Sequence, residues 1–244
     1  MDTAAGASLG NPPGQLGSDL VLLAIHPRTG RIRAHSQLAF GLMAAELVDL
    51  AALGRLRIEN GRVELTESPA LATGAEELDA ALASIAAARR PPRPATWVGK
   101  PRRHIVDSYL ARMSAAGIVG RSPGGRARWQ VLDVAAAATA MSKLDAVASG
   151  ADPLDAAEAA LGGLAHAIGL DRAIYPGLAN RRARRRMRQV ANGQWTAAAV
   201  DGADGAGQAA QAANQAAINA AIQAAAQAAT QAAASAAAAA AVSG

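Results

Sequence analysis

The chain of 244 residues carries a formal charge of +5, with 51% hydrophobic but only 2% aromatic residues and no cysteine. Its length holds one domain of ordinary size with appendages, and the lack of thiols removes disulfides, thiolate nucleophiles and cysteine-ligated zinc. Much of the apolar content is alanine, so the core has to come from Leu, Ile and Val on closely spaced helices, and a mainly helical protein is expected.

Residues 1–17 lack a basic stretch followed by an apolar one and read as a flexible leader rather than a signal peptide. A Ser18/Asp19 cap candidate then precedes an apolar run at 20–25, which fits a short helix or a strand, and a turn over Pro27–Gly30. Leu38, Leu42, Ala45, Val48/Asp49 and Ala52 recur at three- and four-residue spacing between Ser36 and Gly54, which predicts a largely buried helix. Alternating runs flank Asn60-Gly61, and the tolerance of both residues for positive φ predicts a two-residue type I′ hairpin over about 55–66. Acids at its start and arginines at its end mark a helix from Thr73 to Arg90, stopped by Pro91, Pro92 and Pro94.

Between Trp97 and Gly117, Ile105, Tyr109 and Met113 with Val106 and Leu110 form another amphipathic pattern. A second hairpin with a Gly-rich basic tip at 121–128 follows, then helices at about 134–148, 153–169 and 178–192. Past Asp204 the chain holds no charged residue, and an Ala/Gln repeat predicts one long helix, read as a low-complexity tail over 201–244 that frays rather than packs. The expected fold is therefore a mainly α, compact domain over 18–200, with a helix-bundle core, one or two β-hairpins and an Ala-rich C-terminal helix. No run reaches the roughly 18–20 strongly apolar residues of a membrane span, so a cytoplasmic protein, peripheral to a membrane, is expected.

Six stretches resemble, in order, the Golgi phosphoprotein 3 family: LMAAELVDLAALGRLRIENGRVEL (42–65), TGAEELDAALASI (73–85), LARMSAAGIV (110–119), LGGLAHAIGL (161–170), RRMRQV (185–190) and QWTAAAV (194–200). The resemblance implies a mostly helical domain whose hairpin, here 55–66, serves self-association. It also implies a non-catalytic, peripheral membrane adaptor that binds phosphatidylinositol 4-phosphate. The Ala/Arg-rich composition suggests a bacterial member. Of the four headgroup positions that the resemblance points to, the first falls on Ala34 or His35, the second on Met43, the third on Arg103 and the fourth on Val106.

The basic residues sort into three candidate surfaces. Arg103 and Arg102, with Arg31, Arg33 and His35 from the loop before the first long helix, form the expected headgroup site, with selective contact centred on Arg103 at a helix N-terminus. Arg181, Arg182, Arg184, Arg185, Arg186 and Arg188 cover one side of a helix whose other side carries Ala183, Met187 and Val190, and are expected to face an anionic surface. Arg121, Arg126 and Arg128 on the second hairpin allow a winged-helix-like nucleic-acid reading, disfavoured by the scarcity of aromatics for stacking and of base-reading side chains. An oligomeric scaffold with no polyanion ligand is a third reading. His26, His35, His104 and His166 show no metal-ligand spacing, and no nucleophile or phosphate-loop motif occurs, so neither metal, cofactor nor catalysis is expected.

Overall fold

The structure is a computed structural model that describes residues 13–66, 72–122, 128–151, 153–194 and 205–242. Leader residues 1–12, Arg126 with the tip of the second hairpin, and the family-like stretch beyond Gln194 lie outside the described residues.

The apolar run near the N-terminus is a helix, α1 (Gln15–Ala24), which begins inside the expected leader and is buried along nearly its whole length. Ser18 and Asp19 do not cap it. Ser18 Oγ donates back to the Gly14 carbonyl, and Asp19 lies buried against Lys143. Helix α2 (His35–Ala52) crosses α1 and forms the centre of the core, with Leu38, Leu42, Met43, Leu47 and Leu50 essentially inaccessible.

Strands β1 (Leu56–Glu59) and β2 (Arg62–Leu65) pair antiparallel around Asn60 and Gly61, whose φ values of 50° and 71° are both positive, as the type I′ turn requires. Leu56 and Val63 turn inward, while the Val63 amide donates to the Pro92 carbonyl (2.8 Å) and Arg62 Nη1 to that of Pro91 (2.8 Å). The proline run that stops the next helix thus fastens the hairpin. Helix α3 (Glu76–Ala86) opens on three acids, and the short α4 (Pro94–Val98), not anticipated as a separate element, starts on a proline and buries Trp97 and Val98.

Helix α5 (Ile105–Ala115) lies against α1 so closely that a Cβ on Gly17 would sit 2.5 Å from the Tyr109 ring. Strands β3 (Val119–Arg121) and β4 (Trp129–Val131) form the second hairpin, and the Trp129 amide ties it to the Gly30 carbonyl at 2.8 Å. Helix α6 (Val134–Ser149) is capped by Asp133, and α7 (Ala156–Ala167) by a capping box of Asp155 and Glu158. The short α8 (Leu170–Ile174) and α9 (Arg181–Ala191) complete the bundle, with Met187 and Val190 of α9 fully buried.

The Ala/Gln repeat forms α10 (Gly205–Val242), and its 218–229 stretch packs along α2 and α4 and against α7. Ile218, Ala221, Ile222, Ala225 and Ala228 are buried there, and Gln223 Nε2 donates to the Ala191 carbonyl (3.1 Å). Ile222 lies against Gly163, where any Cβ would come within 2.4 Å of its side chain. Between residues 218 and 229, therefore, the segment read as a fraying tail is a packed layer of the bundle. Among the described residues no helix is long and apolar enough to cross a membrane.

If α10 is part of the cooperative unit, Ile222→Ala should destabilise the chain by about 2–4 kcal/mol in urea unfolding. A loss below about 0.5 kcal/mol, the level of a surface substitution, would mean that α10 contributes little to the folded unit.

Candidate functional site

Two helices begin at one cleft. His35, Ser36 and Ala39 of α2 line it from one side, and Pro101, Arg102, His104, Val106 and Asp107 from the approach to α5 and its first turn, enclosing about 310 Å³. The residue before each helix is left-handed without being glycine: Ala34 has φ 48° and His104 φ 62°. Neither N-terminus has a side-chain cap, so the first-turn amides of both have no side-chain acceptor. Two positive dipole ends therefore meet at one place, on backbone held in a sparsely populated conformation.

His35 and Asp107 also line an adjoining cleft of about 430 Å³, together with Arg31, Arg121 and Trp129. Arg121 stacks over the Trp129 ring, 4.1 Å from its centroid, and His104 Nδ1 lies 3.2 Å from Asp107 Oδ2. The two clefts form one cationic trough in which Asp107 is the single acid among the described lining residues.

The sequence-predicted headgroup residues do not all meet there. Arg31 and His35 do. Arg102 borders the trough, but its guanidinium is committed: Nη1 and Nη2 hold both carboxylate oxygens of the fully buried Glu46, at 2.7 and 2.5 Å, and Nη1 touches Met43 Sδ at 3.7 Å. Arg103 opens onto a different groove between α3 and α5, among Glu76, Glu77, Ser108 and Arg112. Arg33 lines a third, mostly apolar cleft. The contact expected to centre on Arg103 thus has no shared cavity with Arg31 and His35.

The α9 arginines divide as well. Arg181, Arg182, Arg185 and Arg188 are exposed. Arg184 Nη1 donates to the carbonyls of Tyr175 (2.5 Å) and Gly177 (2.9 Å), just past the C-terminus of α8, and Arg186 Nη2 to that of Ala151 (3.4 Å). These two secure the turns that follow α8 and α6, so the outward basic face is four arginines rather than six. Of the hairpin arginines, Arg128 is exposed and Arg121 leans on Trp129. His166 is bound through Nδ1 to buried Asp171 (2.8 Å), a packing position within the bundle.

Sequence reasoning did not single out the buried acids of α2. Glu46 and Asp49 sit within the apolar run LMAAELVDL, and acids on a stripe that otherwise goes inward are the signal that buried partners wait there. Burial raises Glu46 to about 7 even though Arg102 opposes the shift, and raises Asp49 to about 8, with Asp19 and Glu46 adding repulsion. Asp49 is partly exposed as a residue, but its Oδ2 is sealed from solvent without a hydrogen-bond partner. Neighbouring acids have cationic partners, although Glu77 Oε2 is likewise sealed without a hydrogen bond. Glu77 Oε1 accepts from Arg112 Nε (2.6 Å), and Asp19 accepts from Lys143 Nζ (2.9 Å) and Gln15 Nε2 (2.6 Å). Among the described residues no three His, Asp or Glu side chains are grouped to hold a metal ion.

A mainly helical domain with two small hairpins and a cationic trough between helix ends defines the class of protein. The family model of Golgi phosphoprotein 3 (GPP34) matches residues 16–206, and the chain belongs to that family. No protein in a search of the curated proteins matches it. The matched region ends as α10 begins, and α10 packs on α2, α4 and α7 within it.

Two outcomes follow from the buried charges. A raised acid favours the fold in its protonated form, so the stability contributed by Asp49 is complete below its ordinary value of 3.8 and is lost as pH rises through about 8. Thermal melts should therefore show Asp49→Asn gaining on the wild type from pH 5 to pH 8, by a few kcal/mol, since each tenfold change in proton affinity is worth about 1.4 kcal/mol. A pH-independent difference would contradict the burial of the charge. Arg102→Met should cost about 3–5 kcal/mol by leaving Glu46 unpaired, and the added change Glu46→Leu should restore most of it. A double variant no more stable than Arg102→Met alone in urea unfolding would contradict this.

Proposed function

We propose that the chain is a peripheral membrane protein of adaptor type, without catalytic activity, that binds anionic lipid headgroups in the trough between α2 and α5. The observation that carries the reading is the meeting of the two uncapped, left-handed helix N-termini at Ala34 and His104, with Arg31 and His35 beside them. First-turn amides and aligned dipoles favour a phosphate group by roughly 0.3–1 kcal/mol per helix end, more where partly buried. Family membership supports the adaptor-like part of the reading.

A phosphoinositide monophosphate suits the trough because its extra phosphate offers a dianion to donors that a single diester charge would leave unsatisfied. The exposed arginines of α9 act at longer range. Each cation near an anionic leaflet contributes on the order of 1 kcal/mol and is screened by salt. The trough therefore selects and α9 attracts.

Flotation with neutral vesicles, vesicles containing phosphatidylglycerol and vesicles containing phosphatidylinositol 4-phosphate tests this, beside a DNA gel shift at matched salt. Binding should follow phosphatidylinositol 4-phosphate first, phosphatidylglycerol next and neutral lipid hardly at all. Arg31→Gln should lower phosphoinositide binding about tenfold, the worth of one charge-assisted hydrogen bond, while Arg185→Gln causes a smaller loss that vanishes in high salt. Binding to DNA but to no vesicle would sink the lipid reading.

A further inference from the structure

A cleft of about 540 Å³ opens between α1, β4, α6 and α8, apart from the trough and behind Trp129. Its walls are aliphatic: Leu22 and Leu23 of α1, Val131 of β4, Met141 of α6 and Ile174 of α8. Val134 stands at its lip with 73% of its surface exposed, an unusual position for a large aliphatic residue beside an open apolar wall. The volume falls in the range of about 300–1,000 Å³ typical of small-molecule sites.

Among the described residues, one charged side chain lines this cleft. Arg33 is held in place by its backbone, whose amide donates to the Ala24 carbonyl at 2.7 Å, and its side chain has no hydrogen-bond or ion-pair partner among the described residues. Desolvation lowers its pKa, and no acid offsets the shift. Partly buried guanidinium groups are ordinarily paired, because losing hydration without an anion is unfavourable. Arg33 is therefore free to receive an anion from outside the described chain.

We propose that this cleft binds a single-chain anionic amphiphile of the fatty-acid class, with the alkyl chain along the aliphatic wall and the carboxylate on Arg33. Charge complementarity fixes the headgroup, since a lone arginine in an uncharged lining accepts an anion and repels a cation. The wall fixes the tail. Leu, Val, Ile and Met side chains accommodate a flexible hydrocarbon, and each methylene withdrawn from water contributes about 0.8 kcal/mol. Gln130 adds an amide to the lining that can share the carboxylate. This site does not rest on the membrane reading: a chain that ignores vesicles can still take up a fatty acid, and one that floats with them need not.

Equilibrium dialysis of radiolabelled palmitate against the full chain, without vesicles, tests the proposal, beside hexadecanol and hexadecyltrimethylammonium. Palmitate should bind saturably, and both other amphiphiles at least about tenfold more weakly. Arg33→Gln should lower palmitate affinity by about tenfold while leaving hexadecanol unchanged, a difference that unfolding cannot mimic. Ala137→Trp, which fills the cleft from α6, should abolish uptake with the helical circular dichroism intact; should it fail to fold, the Arg33→Gln comparison decides. Absence of saturable binding would overturn the proposal, as would equal affinity for palmitate and hexadecanol or uptake unchanged by a folded Ala137→Trp. A change in sedimentation in place of a change in uptake would make the cleft a contact between copies, and the proposal would fail.

Discussion

The bidentate pair of Arg102 and Glu46 is the constraint on which the arrangement around the trough depends. It joins the approach to α5 to the middle of α2, with the carboxylate fully buried and the guanidinium closing over it. A carboxylate this deep is tolerated only while paired, so the approach to α5 cannot swing away without stranding a charge. The same clasp brings the left-handed turns at Ala34 and His104 to one cleft. It also explains why Arg102, a basic residue close to the trough, is not itself the ligand group.

Three sets of basic residues therefore have three different tasks. Arg102, Arg112 and Lys143 neutralise acids buried on α1, α2 and α3. Arg184 and Arg186 satisfy backbone carbonyls at chain turns. Among those that face outward are Arg31 in the trough, Arg103 in the groove beside α3, and four arginines on α9. A net charge of +5 conceals this division, because part of the positive charge holds the fold together.

Local chemistry made part of this legible from residues alone. The Asn60-Gly61 hairpin follows from φ preferences, and the inward stripe of α9 from periodicity, since Met187 and Val190 are buried as the projection places them. Helix α10 was not legible in the same way. Alanine favours a helix without saying which side goes inward, and Ile218 and Ile222 are too few to outline a face before Gly163 is seen to receive one of them. The trough was hidden for a different reason. Left-handed φ at an alanine and a histidine is imposed by tertiary contacts, and proximity in sequence grouped Arg103 with Arg102 although only Arg102, held by Glu46, reaches the border of the trough. Arg33 and Arg31, two residues apart, likewise line different clefts.

The proposed headgroup site lies at the two converging helix ends and not on a diffuse basic face. Amide chemical-shift mapping of the isotope-labelled chain during titration with soluble inositol 1,4-bisphosphate separates these two arrangements. Saturable shifts are expected at His35, Ser36, Val106 and Asp107, with the α9 amides moving little. Shifts confined to residues 181–188, or none that saturate, would contradict a site at the helix ends.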